Sequence, residues 1–424
     1  MRPGGPHIII GNSAAGLSAI KAIRASGDHR PIVLVSAEKS IAYSPVLTTY
    51  YIGGQIGKKG LYFVNRDFYQ RHQVKLVLGR KVIEVDTRKH RLLLDDGSHL
   101  GYGSLLISSG ASARSLGNVK KSATRFVSSL RTISDADKIK SLAAQARDVV
   151  AAGAGLVSLQ TIKAIAGPQV NIKIVVGSGQ VLSQQMDWES ATLIQRKLES
   201  NGVEILFGRS ISEVSEKNGR ALVTTNYGEH LPADLVVVGK GVSPNISMVM
   251  GSPIKTDWGI LVDDRMRTNA ECVFAAGDVA EGVNQITGQR EVIATWYNAC
   301  AQGEVAGANM AGRTVRRNGQ IKENITTLFN VVVASIGESN SGLRGYEEIR
   351  HIDQKRGIIR KFFFKGSVMV GALLVGHALD AGVIRHCIAN GIDLHHWKDS
   401  LTSASLDFTS ILCGQGFEWP QLTQ

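Results

Sequence analysis

Cysteine and proline are both scarce in this chain of 424 residues, which has four cysteines and nine prolines. The cysteines are Cys272, Cys300, Cys387 and Cys413, and no two of them are spaced as a CxxC or CxxxxC redox pair, a zinc site or a disulfide framework. Their spacing predicts reduced thiols in a reducing compartment. The low proline content, beside 46 glycines, predicts a folded chain with many tight turns rather than a disordered one.

Long apolar runs are also missing. No run approaches the roughly 20 apolar residues of a membrane span, and Met1–Pro6 contains no secretory signal segment. We therefore expect no membrane span and a cytoplasmic location. The net charge is +12, but no helix-turn-helix, zinc module or aromatic–basic RNA pattern accompanies it, so we expect no nucleic-acid partner. The charge indicates either an acidic protein partner, such as a ferredoxin-like carrier, or only solubility.

A strand–turn–helix–strand pattern occurs twice, about 140 residues apart, from Gly11 to Gly153. A predicted antiparallel meander follows each copy, over 74–100 and 204–226. The repeated elements are His7–Ile10, Leu17–Ser26 and Ile32–Val35, then Val149–Ala152, Leu159–Ile165 and Ile172–Val176. Further predicted strands are Leu105–Ser108, Leu235–Val238, Val273–Ala276, Asn330–Ser335 and Ile358–Leu374, with helices at Ser190–Ser200, Thr295–Met310 and Asp380–Asn390. We predict an α/β fold with two Rossmann-like dinucleotide-binding domains and a C-terminal α+β domain.

The first turn, Gly11-Asn12-Ser13-Ala14-Ala15-Gly16, approximates the GxGxxG fingerprint of dinucleotide binding. Ser13 replaces the second glycine, which hinders but does not block the approach of the backbone to a pyrophosphate. The helix that follows offers N–H groups to phosphate. Glu38 lies 22 residues after Gly16 and is a candidate for the ribose hydroxyls, although Ser36 occupies the usual place. The alternative is that Glu38 is a solvated surface residue.

The second turn, Gly153-Ala154-Gly155-Leu156-Val157-Ser158, has Ser158 in place of the third glycine. The strand after it ends at Val176-Gly177-Ser178-Gly179, without the acid that holds an NAD ribose or an arginine for an NADP phosphate. Two interpretations stay open, an NAD site and a dinucleotide-type fold without nicotinamide binding. The retained Gly153 and Gly155 favour NAD.

The segment from Asn269 to Asp278 is the most specific one. A buried strand runs into Ala276-Gly277-Asp278, which places a carboxylate and backbone N–H groups at a helix start. That arrangement can hold the ribityl and pyrophosphate part of FAD.

Together these features resemble the pyridine nucleotide–disulfide oxidoreductase superfamily over nearly the whole chain. Three further segments and the region 360–391 are similar to motifs of that family: Ile107-Ser108-Ser109-Gly110-Ala111, Gly241-Val242-Ser243-Pro244-Asn245 and the helix from Trp296 to Gly303. The resemblance is strongest to the rubredoxin and ferredoxin reductases and to the flavin part of NADH nitrite reductase. It extends to flavin subunits of NAD-linked 2-oxoacid oxidoreductase complexes.

The resemblance implies an FAD domain over 1–118 and 247–325, an inserted NAD-type domain over 119–246 and an interface domain over 326–424. It implies hydride transfer between nicotinamide C4 and flavin N5, single-electron exchange with an iron–sulfur partner in a hetero-oligomeric complex, and no catalytic acid, base or nucleophile. The residues it implies for FAD are Gly11, Ser13, Ala14, Ala15, Gly16, Glu38, Lys39, Pro45, Val82, Ser109, Gly110, Gly277, Asp278, Thr295 and Trp296, and those for NAD(H) are Gly153, Gly155, Leu156, Val157 and Gly241. Trp296 could instead be a core residue.

Two departures from the family affect this expectation. The segment Ala42–Leu47, where disulfide reductases of the family have a redox cysteine, has no thiol, so disulfide chemistry is not expected. Pro45 stands where the similar reductases usually have arginine, and Tyr50 and Tyr51 stand near the place of a lysine. Three hypotheses remain: an NADH-linked electron-transfer flavoprotein inside a complex, a flavoprotein conduit without nicotinamide binding, and a non-catalytic assembly subunit.

Overall fold

The computed structural model describes residues 5–340, 345–401 and 411, so Cys413 lies outside the described residues. The first part of the chain alternates short buried strands with helices and ends in a small meander. Its elements are β1 (His7–Ile10), α1 (Ala14–Ala25), β2 (Ile32–Ser36), α2 (Thr48–Ile52), α3 (Arg66–Arg71), β3 (Val74–Leu78), β4 (Val82–Asp86), β5 (Arg91–Leu94), β6 (His99–Gly101) and β7 (Ser104–Ile107). β1 pairs in parallel with β2 and β7, and β2 pairs in parallel with β3. Only β4, β5 and β6 form the antiparallel meander, so the assignment of Val74–Leu78 to it is wrong.

The second part repeats this plan. Its elements are β8 (Ala111–Ala113), β9 (Val127–Ser129), α4 (Ile133–Ala143), β10 (Asp148–Ala152), α5 (Leu156–Ile165), β11 (Asn171–Val176), α6 (Trp188–Glu199), β12 (Val203–Phe207), β13 (Ile211–Lys217), β14 (Arg220–Thr225), β15 (His230–Ala233), β16 (Leu235–Val238) and β17 (Val242–Pro244). The parallel sheet has the order β12–β11–β10–β16–β9, and β13, β14 and β15 form the meander. The prediction that the meander begins at Glu204 is wrong, because β12 pairs in parallel with β11. β8 and β17 pair with each other where the chain enters and leaves this part.

The chain then returns to the first sheet through β18 (Ile260–Leu261), β19 (Val273–Ala275), β20 (Ala280–Val283), β21 (Arg290–Glu291) and α7 (Trp296–Met310). β19 pairs with β7, which completes the order β19–β7–β1–β2–β3. Helix α7 crosses α1 at backbone contact, because a Cβ on Gly303 would lie 2.2 Å from the Ala15 carbonyl oxygen. Glycine is therefore required at this crossing.

The last part is an antiparallel sheet with one helix against it. Its elements are β22 (Glu323–Leu328), β23 (Val331–Gly337), β24 (Glu347–Asp353), β25 (Ile358–Lys365), β26 (Val368–Val375) and α8 (Ala381–Asn390). The order is β22–β23–β26–β25–β24, and α8 buries Ile384 and Ile388 in the core beneath it. The α/β fold class with a C-terminal α+β part is confirmed. The first strand of that part, β22, begins at Glu323, just before the start of the predicted interface domain at residue 326. Within the described ranges, no helix has the length and apolar character to cross a bilayer.

Candidate functional site

The turn between β1 and α1 leaves no room for side chains at two of its glycines. Gly11 has a φ of +112°, and a Cβ there would lie 2.0 Å from the Ser108 carbonyl oxygen. A Cβ on Gly16 would lie 2.2 Å from the Gly11 carbonyl oxygen. Ser13 is exposed at the N-cap of α1 and makes no side-chain capping bond, and the first turn has no acidic residue. The N–H groups of Ala14, Ala15 and Gly16 therefore suit an anionic ligand.

Three of the residues expected to bind FAD, Glu38, Lys39 and Val82, lie together beside β2 and β3. The Glu38 carbonyl oxygen accepts from the Gly79 N–H, and the Lys39 side chain lies over Gly79. Val82 is buried at the start of β4. Burial raises the pKa of Glu38, against the opposing effect of the Tyr43 hydroxyl, which donates to Oε2 over 2.8 Å. Oε1 makes no hydrogen bond with a described residue, which leaves it available to a ribose hydroxyl.

Two of the matching motifs hold each other in place. Asn245 Nδ2 donates to the Ser109 carbonyl oxygen over 2.8 Å, and its backbone N–H donates to the Gly110 carbonyl oxygen over 2.9 Å. The Gly241 carbonyl oxygen accepts from the Arg114 N–H. These bonds extend the β8–β17 pairing, so Ser109, Gly110 and Gly241 lie where the two parallel-sheet parts meet.

Asp278 has a cationic partner that the sequence interpretation missed. Arg131 Nη2 donates to Asp278 Oδ2 over 2.6 Å, and Arg131 Nε donates to the Ala111 carbonyl oxygen over 2.9 Å. Both side chains are only partly exposed, 32% for Arg131 and 15% for Asp278. The Gly277 N–H donates to Gln302 Oε1, and a Cβ on Gly277 would contact Ala15. The carboxylate of Asp278 thus stands beside the phosphate-type turn together with a guanidinium. The prediction that a helix begins at Asp278 is wrong, because a turn and then β20 follow it.

The segment that carries a redox thiol in disulfide reductases has none here. Ala42 and Tyr43 are buried, and Pro45 begins a short 3-10 helix over Pro45–Leu47. No disulfide joins the three cysteines in the described part of the chain. One of them, Cys387, is buried in the last part, and burial raises the pKa of its thiol to about 11.

The second glycine turn is intact despite its serine. Gly153 has a φ of +103°, and a Cβ there would lie 2.5 Å from the Gly239 carbonyl oxygen. Ser158 is buried and faces Gly239. A Cβ on Gly239 would lie 2.6 Å from the Ser158 Cβ, so the missing side chain at Gly239 leaves the space that Ser158 occupies. No atom lies within 4 Å of a Cβ on Gly155. Leu156 and Val157 begin α5, whose first turn has no acidic residue.

Comparison with known proteins decides the family. Residues 5–303 match the family described as Pyridine nucleotide-disulphide oxidoreductase. The chain belongs to this family. It is 30% identical over 391 residues, 92% of either chain, to the NADH-dependent phenylglyoxylate dehydrogenase subunit epsilon of Aromatoleum evansii. It is 25% identical over 307 residues to the rubredoxin-NAD(+) reductase of Pseudomonas putida, covering 72% of this chain and 80% of that one.

A solved structure has the same fold over the whole length. The crystal structure of the covalent putidaredoxin reductase–putidaredoxin complex matches with a TM-score of 0.89, over 98% of this chain and 99% of that one, at 22% identity. Membership of the pyridine nucleotide family confirms an oxidoreductase that uses FAD and NAD(H).

The described residues fit an FAD bound along the first turn. Thr295 is the N-cap of α7, but its Oγ1 is buried and has no hydrogen-bond partner within the described residues. A buried hydroxyl without a hydrogen bond lowers the folding stability by about 1–3 kcal/mol unless a ligand bonds to it. The polar edge of a flavin ring would supply that hydrogen bond. Trp296 packs edge-to-face on Phe63 at 5.3 Å and is partly buried against the first core. This packing is that of a core residue, and the approach of Trp296 to the flavin ring stays a prediction.

Proposed function

We propose that this protein passes electrons between NAD(H) and an iron–sulfur or other protein partner, as the flavin subunit of a larger 2-oxoacid oxidoreductase complex. One observation carries the proposal: two glycine turns suited to phosphates stand at two parallel sheets joined by the β8–β17 pairing, and the segment Ala42–Leu47 has no thiol. The similarity to a subunit named as part of phenylglyoxylate dehydrogenase, over 92% of both chains, supports the place in a complex.

The roles of the residues follow from their positions. Gly11 to Gly16 would hold the FAD pyrophosphate. Asp278, oriented by Arg131, would bind the ribityl chain, and Thr295 would orient the ring. Gly153, Gly155, Leu156 and Val157 would hold the nicotinamide nucleotide. Bound FAD supplies the chemistry, since it takes an electron pair as hydride and releases single electrons to a one-electron carrier.

A protein partner is supported by the surface near Pro45 and Trp296. Val46, Tyr50 and Phe63 are 59%, 43% and 45% exposed, and Phe63 packs on Trp296. Lys59 follows in the same segment and is exposed, whereas Lys58 is paired with Asp137 over 2.6 Å. Exposed apolar side chains beside a lysine, in a chain with a net charge of +12, suit an acidic ferredoxin-like protein. We place this reaction in the cytoplasm.

The test is NADH-dependent reduction of a purified [2Fe–2S] ferredoxin by the purified chain. We expect turnover that falls as salt rises, because the encounter is electrostatic. Lys59→Glu should lower kcat/KM several-fold, whereas Lys355→Glu, an exposed lysine between β24 and β25, should not change it. A flavin that NADH reduces but that never reduces an iron–sulfur protein would refute the proposed acceptor. A chain without flavin would leave only the assembly role.

A further inference from the structure

The loop after β11 offers no carboxylate to a ribose. Gly177 and Gly179 have none, and the Ser178 hydroxyl donates to the Gln180 carbonyl oxygen over 2.8 Å. Gln180 Nε2 donates to the Met186 carbonyl oxygen over 2.8 Å. In NAD sites of this fold an acid at this place accepts from the ribose hydroxyls. The usual acid is therefore missing from this loop.

Arg209 stands beside this loop. It follows β12, and its N–H donates to the Val176 carbonyl oxygen over 3.1 Å. The Arg209 carbonyl oxygen is the one atom within 4 Å of a Cβ built on Gly177, at 3.9 Å. Because β11 and β12 are parallel neighbours, their carboxyl ends share the sheet edge along which a dinucleotide binds. The backbone of Arg209 is thus fixed against the place of the missing acid.

The guanidinium of Arg209 is oriented but not saturated. It stacks on the Tyr227 ring at 4.4 Å, Nε donates to Glu229 Oε2 over 3.2 Å, and Nη1 donates to the Phe207 carbonyl oxygen over 3.2 Å. Nη2 makes no hydrogen bond with a described residue, and a third of the side chain is exposed. A planar guanidinium held in this way is suited to a phosphate.

Glu229 is the other charged group at this place. Its Oε2 already accepts from the Thr225 hydroxyl over 2.8 Å as well as from Arg209. The Arg209 and Thr225 bonds therefore compete with any use of this carboxylate as the ribose acid. It orients the arginine instead.

We propose that Arg209 binds the 2′-phosphate of NADP(H), so that the second site takes NADPH as well as NADH. This inference rests on the proposed function, because it requires an open nicotinamide-nucleotide site. It assigns the choice of nucleotide to the end of β12 rather than to the end of β11.

Two adenosine fragments that differ only in the 2′-phosphate test the inference by calorimetry on the flavin-loaded protein. Adenosine 2′,5′-bisphosphate should bind at least about 10-fold more tightly than 5′-AMP, since a charge-assisted hydrogen bond contributes about 10- to 100-fold in affinity. Arg209→Gln should remove this advantage and leave 5′-AMP binding unchanged. Arg196→Gln, an exposed arginine in the last turn of α6, is the matched control.

A second variant tests the same point in the opposite direction. Gly177→Glu has room for its side chain, because only the Arg209 carbonyl oxygen lies within 4 Å of the new Cβ. It should weaken the bisphosphate and strengthen 5′-AMP. Equal affinities for the two fragments, or no effect of either variant, would overturn the inference.

Flavin reduction separates this inference from the proposed function. If NADH reduces the flavin but the fragments bind equally, Arg209 has no such role and the proposed function stands. If neither fragment binds and neither NADH nor NADPH reduces the flavin, both fail.

Discussion

The ammonium of Lys361 joins the C-terminal sheet to helix α6. Its side chain is 2% exposed, and Nζ donates to Asp187 Oδ2 over 2.6 Å and to Glu189 Oε2 over 2.7 Å. Asp187 is 5% exposed and caps α6, where it accepts from the Ser190 N–H. Lys361→Met would keep most of the buried volume but leave both carboxylates without this cation.

The expected loss of folding free energy in Lys361→Met follows from the burial of this ion pair. Removal of one partner from a buried ion pair costs about 3–5 kcal/mol. Glu189 is 42% exposed, so water can partly solvate it and the lower end applies. A cost of about 3 kcal/mol corresponds to a roughly 100-fold change in an equilibrium constant. Amides of α6 that exchange when this contact opens should therefore exchange about 100-fold faster.

Hydrogen exchange followed by mass spectrometry measures the exchange rates of the α6 amides directly. Adding Asp187→Asn to Lys361→Met should restore most of the protection, because asparagine keeps the cap and removes the buried negative charge. Lys365→Met, at the exposed end of β25, should leave the exchange of α6 unchanged. Unchanged exchange in Lys361→Met itself would refute the reasoning.

The same contact gives a pH dependence. Burial alone would lower the pKa of Lys361, but Asp187 and Glu189 outweigh it and raise the pKa above the ordinary 10.5. The folded state therefore holds this proton more tightly than the unfolded state. The stabilisation is complete below pH 10.5 and declines as pH rises through the folded pKa.

Three further predictions concern the FAD part and the thiols. Gly303→Val should separate α1 from α7 and abolish flavin retention, because its Cβ would lie 2.2 Å from the Ala15 carbonyl oxygen. Gly382→Ala, whose Cβ has no atom within 4 Å, should retain flavin, and a yellow Gly303→Val protein would contradict this reasoning. Arg131→Met should weaken FAD binding about 10- to 100-fold in a fluorescence titration, and unchanged affinity would show that Asp278 needs no cation. Cys387 should resist iodoacetamide at pH 8 in the native protein, since burial raises its pKa to about 11, and early alkylation of its peptide would disprove that burial.

Local sequence patterns predicted most elements of the fold. The strand–turn–helix pattern predicted β1, α1 and β2, and later β10, α5 and β11, because buried parallel strands and glycine turns have local signatures. Local patterns did not reveal pairing. β3 and β12 are short strands next to meanders, and only long-range contacts with β2 and β11 place them in the parallel sheets.

The candidate site likewise contains some residues that a local sequence pattern identifies and others that only long-range contacts reveal. The glycine turns and Asp278 have sequence fingerprints, whereas Arg131 meets Asp278 across 147 residues and no pattern links them. Its one local signal is its position before Thr132, which begins the capping box of α4. Arg209 has no fingerprint at all, since it reaches the end of β11 only through the pairing of β12. Ser158 stands where the fingerprint has its third glycine, and only the structure shows that Gly239 lies opposite it and leaves room for it.

We expect both dinucleotide sites to work in one chain. Anaerobic titration of the purified protein with NADH and then NADPH, followed by visible flavin absorption, tests it most directly. We predict a yellow protein whose flavin band bleaches at stoichiometric nucleotide. A yellow protein that neither nucleotide bleaches would contradict the claim, and would indicate a flavoprotein that exchanges electrons with protein partners only.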